Sequence, residues 1–185
     1  MTVTLEPVRS RSFAFILGSP RGGGNTETLA RYAAEGLPPD ATGSWLSLSE
    51  LALPASPAGP LPDGAEKVLL DATLDSTDIV VASPLHWYSV SAATKLYLDY
   101  WARWSGLPDL GFRERMRGKN LWAVTAYARG DDTDTEPLTG MLRRTAGYLG
   151  MEWRGALLAR AHREGDLEAD PAALARAAAF FDVTR

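Results

Sequence analysis

The chain has 185 residues, 45% of them apolar and 23% charged, which suits one domain with a sizeable core. A net charge of -4 argues against general binding to nucleic acid or to anionic membranes. With no cysteine, disulfides, thiolate nucleophiles and cysteine-held zinc or iron–sulfur clusters are excluded, so any redox chemistry needs a bound cofactor.

Residues 1–11 are polar and charged and read as a flexible N-terminus without a signal pattern. No apolar run approaches the length of a membrane span, so a cytoplasmic enzyme is expected, one domain over 1–185. Five apolar runs at 13–17, 45–48, 79–82, 121–126 and 156–161 read as strands. Most are continuous rather than alternating, as in strands covered on both faces.

Helical patterns lie between the runs. The first, from Glu27 to Glu35, has Asn25 or Thr26 as cap, Leu29, Tyr32 and Ala33 inward, and Gly36 as a stop. The second spans about 64–74 with Val68, Leu69 and Ala72 inward, and the third, 91–104, is rich in aromatics. The fourth starts at Pro137 and ends near Gly150. The fifth starts at Asp170-Pro171 and carries Leu174, Ala177, Ala178 and Phe181. Residues 53–64, with four prolines, and 105–118 read as loops.

Strands alternating with helices predict an α/β fold: three layers around a doubly wound, five-stranded parallel sheet. Two strand orders fit, the flavodoxin-like 2-1-3-4-5 and one half of a dinucleotide-binding sheet. Both put ligands at the carboxyl ends of the strands, so the loops after strands one, three and four matter most.

The loop after the first strand is Gly18-Ser19-Pro20-Arg21-Gly22-Gly23-Gly24-Asn25-Thr26. A glycine-rich turn ahead of a helix N-terminus holds phosphate through free backbone N–H groups and the positive end of the helix dipole. The spelling is not G-x-G-x-x-G, and Asn25-Thr26 stands where a nucleotide-hydrolase loop needs Lys-Ser/Thr. A terminal monophosphate fits better: hydroxyls from Ser19 and Thr26, an amide from Asn25, a cationic fork from Arg21, and N–H groups from Gly22 to Thr26. After the third strand, Ser83-Pro84-Leu85-His86-Trp87-Tyr88-Ser89 offers aromatics and backbone donors to a flat heterocycle.

These two motifs, followed by Lys95-Leu96-Tyr97-Leu98-Asp99 and by Gly118-Lys119, resemble the NADPH-dependent FMN reductase family of the flavodoxin-like superfamily. The likeness covers about residues 12–165 and implies the order 2-1-3-4-5. It also implies FMN, its phosphate on Ser19, Arg21, Gly24, Asn25 and Thr26 and its ring against Pro84, Leu85, His86, Trp87 and Tyr88. The loop after the fourth strand, with Ala126, Tyr127, Arg129 and Gly130, would close the ring's other side. His86 stands where the family usually has tyrosine, and Gly24 where it often has serine.

The implied activity takes hydride from NADPH or NADH through FMN to a small electron acceptor: a quinone, free flavin, azo or nitro compound, or metal ion. The protein's work is then orientation and electrostatics, and no side chain is assigned a strictly catalytic role. Two alternatives are an FMN electron carrier without NAD(P)H activity and a cofactor-free interaction module. A homodimer or homotetramer is expected, with Trp87, Tyr97, Tyr100, Trp101 and Trp104 as a face that completes the flavin pocket. Asp131, Asp132, Asp134 and Glu136 read as an acidic lead into a helix N-terminus rather than a metal site. His162 reads as solvated, or as a partner, with Arg160 and Arg163, for the phosphate of a nicotinamide cofactor.

Overall fold

The computed structural model describes residues 10–56, 59 and 61–182. Strands β1 (Ser12–Leu17), β2 (Thr42–Ser47), β3 (Asp78–Ala82), β4 (Asn120–Tyr127) and β5 (Glu152–Arg160) form one all-parallel sheet in the order β2-β1-β3-β4-β5. This is the flavodoxin-like order, not the dinucleotide-binding half-sheet. The three inner strands carry the continuous apolar runs and are buried almost end to end. The edge strands β2 and β5 start three or four residues earlier than their apolar runs predict, on the polar stretches Thr42-Gly43-Ser44 and Glu152-Trp153-Arg154-Gly155. An edge strand is only half covered, so polar residues serve there.

Helices α1 (Asn25–Ala34) and α7 (Pro171–Ala178) cover one face of the sheet. On the other lie α2 (Leu48–Leu51), α3 (Gly64–Asp75), α4 (Ala92–Ser105), α5 (Phe112–Met116) and α6 (Glu136–Leu149). The short α5 stands inside a stretch predicted as loop; Phe112 and Met116, four residues apart, anchor it in the core. The start at Asp170-Pro171 holds, with the Asp170 carboxylate accepting from the Ala172 and Ala173 N–H groups at 3.0 Å. Two inward faces are corrected. Val68 is 53% exposed while Leu69, Leu70, Thr73 and Leu74 are buried, and Ala173 rather than Ala178 faces inward beside Ala177.

The aromatic helix is the largest correction. Tyr97, Tyr100, Trp101 and Trp104 are all buried within the chain, packed edge-on or tilted against one another and Phe112. They form core rather than a dimer face. The polar tips of Tyr97 and Trp104 find partners inside the same layer: Tyr97 meets the Thr73 hydroxyl at 2.9 Å, and the Trp104 indole N–H donates to Glu66 at 2.9 Å. Arg103 pairs with the same Glu66 carboxylate. The proline-rich connection is tied to this helix, since the Pro54 and Gly59 carbonyls accept from the Tyr100 hydroxyl and from Arg103.

Residues 1–9 of the expected flexible terminus lie outside the described residues. Arg11 pairs with the buried Asp78 and donates to the Phe181 carbonyl at 3.1 Å. Among the described residues no helix is long and apolar enough to cross a membrane.

Candidate functional site

The carboxyl ends of β1, β3, β4 and β5 open onto one cleft of about 590 Å³. Its walls are the loop after β1 (Ser19 to Thr26, with Thr28), Pro84, Leu85 and His86 after β3, Ala126 and Ala128 at the end of β4, and Ala161, His162, Glu164, Gly165 and Glu168 after β5. Nine of the sequence-predicted site residues therefore meet in one place: Ser19, Arg21, Gly24, Asn25, Thr26, Pro84, Leu85, His86 and Ala126.

The first loop is held from behind. The Gly18 N–H continues the sheet to the Ala82 carbonyl at 2.8 Å, and the Ser91 hydroxyl donates to the Gly18 carbonyl at 2.6 Å. Gly18 presses so closely on α4 that a Cβ there would overlap the Thr94 hydroxyl, which is why the turn starts on glycine. The Ser19 hydroxyl turns back onto the Arg21 carbonyl at 2.7 Å, fixing the loop's outward arm. Gly24 is the N-cap of α1 without a side chain to cap it. The N–H groups of Gly22, Gly24, Asn25, Thr26 and Glu27 have no acceptor among the described residues, and neither has the Arg21 guanidinium.

Glu27 already takes one donor of the loop, accepting from the Gly23 N–H at 2.9 Å while bound by Arg31. Partial burial works against its charge, but these bonds outweigh it and hold the carboxyl below the usual range. Thr26 is engaged at the other end of the loop. Its buried hydroxyl accepts from the Ala126 N–H at 3.4 Å and ties α1 to the end of β4.

Trp87 and Tyr88 do not line the cleft. They form the tip of a tight turn closed by His86 N–H to Ser89 carbonyl at 2.8 Å and the reverse bond at 3.0 Å. Both have left-handed backbones, φ 50° and 64°, in a turn that ordinarily takes Asn-Gly. Trp87 is 94% and Tyr88 55% exposed. Two large side chains held outward on strained backbone beside a cleft are a feature that stability alone does not account for.

Tyr127 is buried and reaches no cleft; its hydroxyl donates to Asp132 at 2.6 Å. Burial and the Asp132 carboxylate push its pKa up to about 12, so the phenol keeps its proton and pins the following loop. Gly130 has φ 81°, and a Cβ there would overlap the Asp134 carboxylate. Asp131 caps the turn ahead of α6 by accepting from the Thr133 N–H at 2.9 Å, and Glu136 sits in the first turn of α6. The acidic cluster thus does local work at a helix start. Arg129 lies in a second cavity, of about 630 Å³, with Ala128, Arg160, His162, Arg163, Asp166 and Ala169.

The segment after β5 is the part of the cleft that sequence reasoning missed, His162 apart. Its signal was the strand-end rule itself, which applies to every parallel strand and not only to the first, third and fourth. Leu167 is buried on the α1–α7 side and Glu168 meets the Tyr32 hydroxyl at 3.4 Å, so the segment folds back over α1.

Comparisons with known proteins agree with this geometry. The NADPH-dependent FMN reductase family profile matches residues 12–152. YwqN of Bacillus subtilis, whose name carries the provisional description NAD(P)H-dependent FMN-containing oxidoreductase, is 27% identical over 173 residues, 89% of this chain and 93% of that protein. The Trp repressor binding protein of the same species superposes with a TM-score of 0.76 at 24% identity, covering 94% of this chain and 99% of its own. An FMN-dependent NADH-azoreductase of Bacillus anthracis, solved with FMN, gives 0.63 at 16% identity, over 91% and 94%. The two structural likenesses speak for the fold.

Proposed function

The chain belongs to the NADPH-dependent FMN reductase family, and from that premise we propose that it holds FMN in the cleft and passes electrons from NAD(P)H to a small acceptor. The acceptor classes are quinones, free flavins, azo or nitro compounds and metal ions. One observation carries the assignment of the site. The unpaired N–H groups at the start of α1, with the free Arg21 guanidinium, face the same cleft as Pro84, Leu85 and His86. That donor set suits a terminal phosphate at one end, and the strand-end loops leave room for a flat ring at the other.

When bound, FMN would supply the two-electron redox chemistry between NAD(P)H and the acceptor. The chain's residues bind and orient. Gly22, Gly24, Asn25 and Thr26 offer backbone N–H groups to the phosphate, and Arg21 adds a charged fork. Pro84, Leu85 and His86 support the ring on the β3 side, and Ala126 and Ala128 approach from β4. Gly24 has room for the serine common in the family, since a Cβ there meets only the Ser19 hydroxyl at 3.5 Å and the Arg21 carbonyl at 3.8 Å. The assembly, a homodimer or homotetramer, belongs to the same proposal; the outward Trp87 and Tyr88 now support it, in place of the buried aromatics of α4.

The purified protein should be yellow, or turn yellow with added FMN, and NADPH should bleach it without oxygen. Colour without bleaching would favour an electron carrier. A colourless protein that takes up no FMN would sink both readings.

The turn makes a second prediction. Trp87→Asn with Tyr88→Gly should stabilise the fold by about 1–2 kcal/mol by relieving two left-handed side-chain-bearing residues. It should also slow turnover, because the exposed rings meet dinucleotide, acceptor or partner. Urea midpoints and steady-state rates check this, and a stabilised variant of unchanged kcat and KM would deny the rings a role.

A further inference from the structure

The second cavity gathers cationic side chains from the ends of two neighbouring strands. Arg129 follows β4, Arg160 ends β5, and His162 and Arg163 follow directly. None of these three arginines makes an ion pair among the described residues. The one carboxylate in the cavity, Asp166, is committed to backbone, accepting from the His162 N–H at 2.8 Å and the Arg163 N–H at 2.7 Å. Those bonds hold the Asp166 carboxyl below its usual range and fix the turn that presents Arg163. Three guanidinium groups against one engaged carboxylate make a strongly cationic concavity on a protein whose net charge is -4.

Position identifies the anion. The cavity shares Ala128 and His162 with the cleft, so a ligand lying in one can extend into the other. The cleft side of the same segment carries Glu164 and Glu168, which repel a second phosphate there. The only ligand of the proposed reaction that reaches past the flavin and bears a further dianionic phosphate is NADPH. We infer that Arg160 and Arg163, with Arg129 and His162, bind the 2′-phosphate of NADPH and make the enzyme select NADPH over NADH. The guanidinium fork suits a phosphate monoester through paired N–H···O bonds. Asp166 is a positioning residue, acting through the turn it caps. The inference rests on the proposed use of a nicotinamide dinucleotide.

Two measurements on the FMN-loaded protein test it. By calorimetry, adenosine 2′,5′-bisphosphate should bind at least about tenfold tighter than 5′-AMP, the gain expected of one charge-assisted contact. The double variant Arg160→Gln, Arg163→Gln should erase that difference. In steady state the same variant should raise the ratio of the KM for NADPH to the KM for NADH by about tenfold or more. Equal binding of the two adenosine nucleotides by the wild type, or a KM ratio that the variant leaves in place, overturns the inference. So does an effect confined to the KM of an anionic acceptor. A yellow protein that oxidises neither dinucleotide would instead fail the proposed function, and the calorimetric comparison would still decide whether the cavity takes a 2′-phosphate.

Discussion

Asp78→Ala should destabilise the fold by about 3–5 kcal/mol, a large part of the stability of an ordinary domain. Asp78 starts β3 at the end of the sheet away from the cleft, and its side chain is fully buried. It accepts from Arg11 Nη2 at 2.5 Å and Nε at 3.2 Å, from Thr77 Oγ1 at 2.7 Å, from the Trp122 indole N–H at 2.8 Å and from Asn120 Nδ2 at 2.9 Å. One carboxylate thus joins the residue before β1 to the starts of β3 and β4. Arg11 in turn reaches Phe181 near the other end of the described chain, and lies over the Phe13 and Trp122 rings. Removing the carboxylate strands a guanidinium and an indole N–H, and that desolvation penalty dominates the loss. Burial by itself would raise the Asp78 pKa, but the bonds from Arg11, Thr77 and Trp122 outweigh it and hold the carboxyl below the usual range. The folded pKa is lowered, so this stabilisation is complete above the unfolded value near 3.9 and is lost as pH falls through the folded one. Urea midpoints at pH 7 give the magnitude. The milder Asp78→Asn variant, followed from pH 6 downward, should lack that portion of the acid-induced loss. Midpoints equal to wild type at pH 7 would reduce the network to a bystander.

The parts of the chain that could be read directly were those where one physical demand acts alone. A strand covered on both faces must be apolar throughout, so β1, β3 and β4 stood out. The edge strands β2 and β5 were seen only in their later halves; their first residues, half covered, carry no continuous apolar run. The α4 aromatics illustrate a different limit. Spacing puts aromatics on several sides of that helix, and it cannot tell a partner subunit from this chain's own α3 and α5. Thr73 beside Tyr97, Glu66 beside Trp104 and the Pro54 carbonyl beside Tyr100 decide it, and all three lie far off in sequence. The phosphate loop was legible because Gly18 to Thr26 is contiguous. The wall from Ala161 to Glu168 was not, because its place in the cleft depends on β5 lying beside β4.

Arg21→Ala should weaken FMN binding about 10- to 100-fold, the worth of one charge-assisted phosphate contact. Arg21 is exposed and its guanidinium has no acceptor among the described residues, so its removal should change stability by less than about 0.5 kcal/mol. The backbone donors of Gly22, Gly24, Asn25 and Thr26 stay, which is why some binding should persist. Lysine at this position restores the charge but not the fork, and Arg21→Lys should fall between wild type and alanine. Riboflavin, which lacks the phosphate, separates the two ends of the ligand. Quenching of flavin fluorescence on binding should show a large difference between wild type and Arg21→Ala with FMN and almost none with riboflavin. Added salt should shrink the FMN difference, since it screens an exposed charge pair. An equal loss with both flavins would move Arg21 to the ring end of the cleft, and no loss with either would remove it from the site. The three outcomes assign a different place to one side chain, so this measurement also fixes which way the flavin lies between the β1 loop and Pro84 to His86.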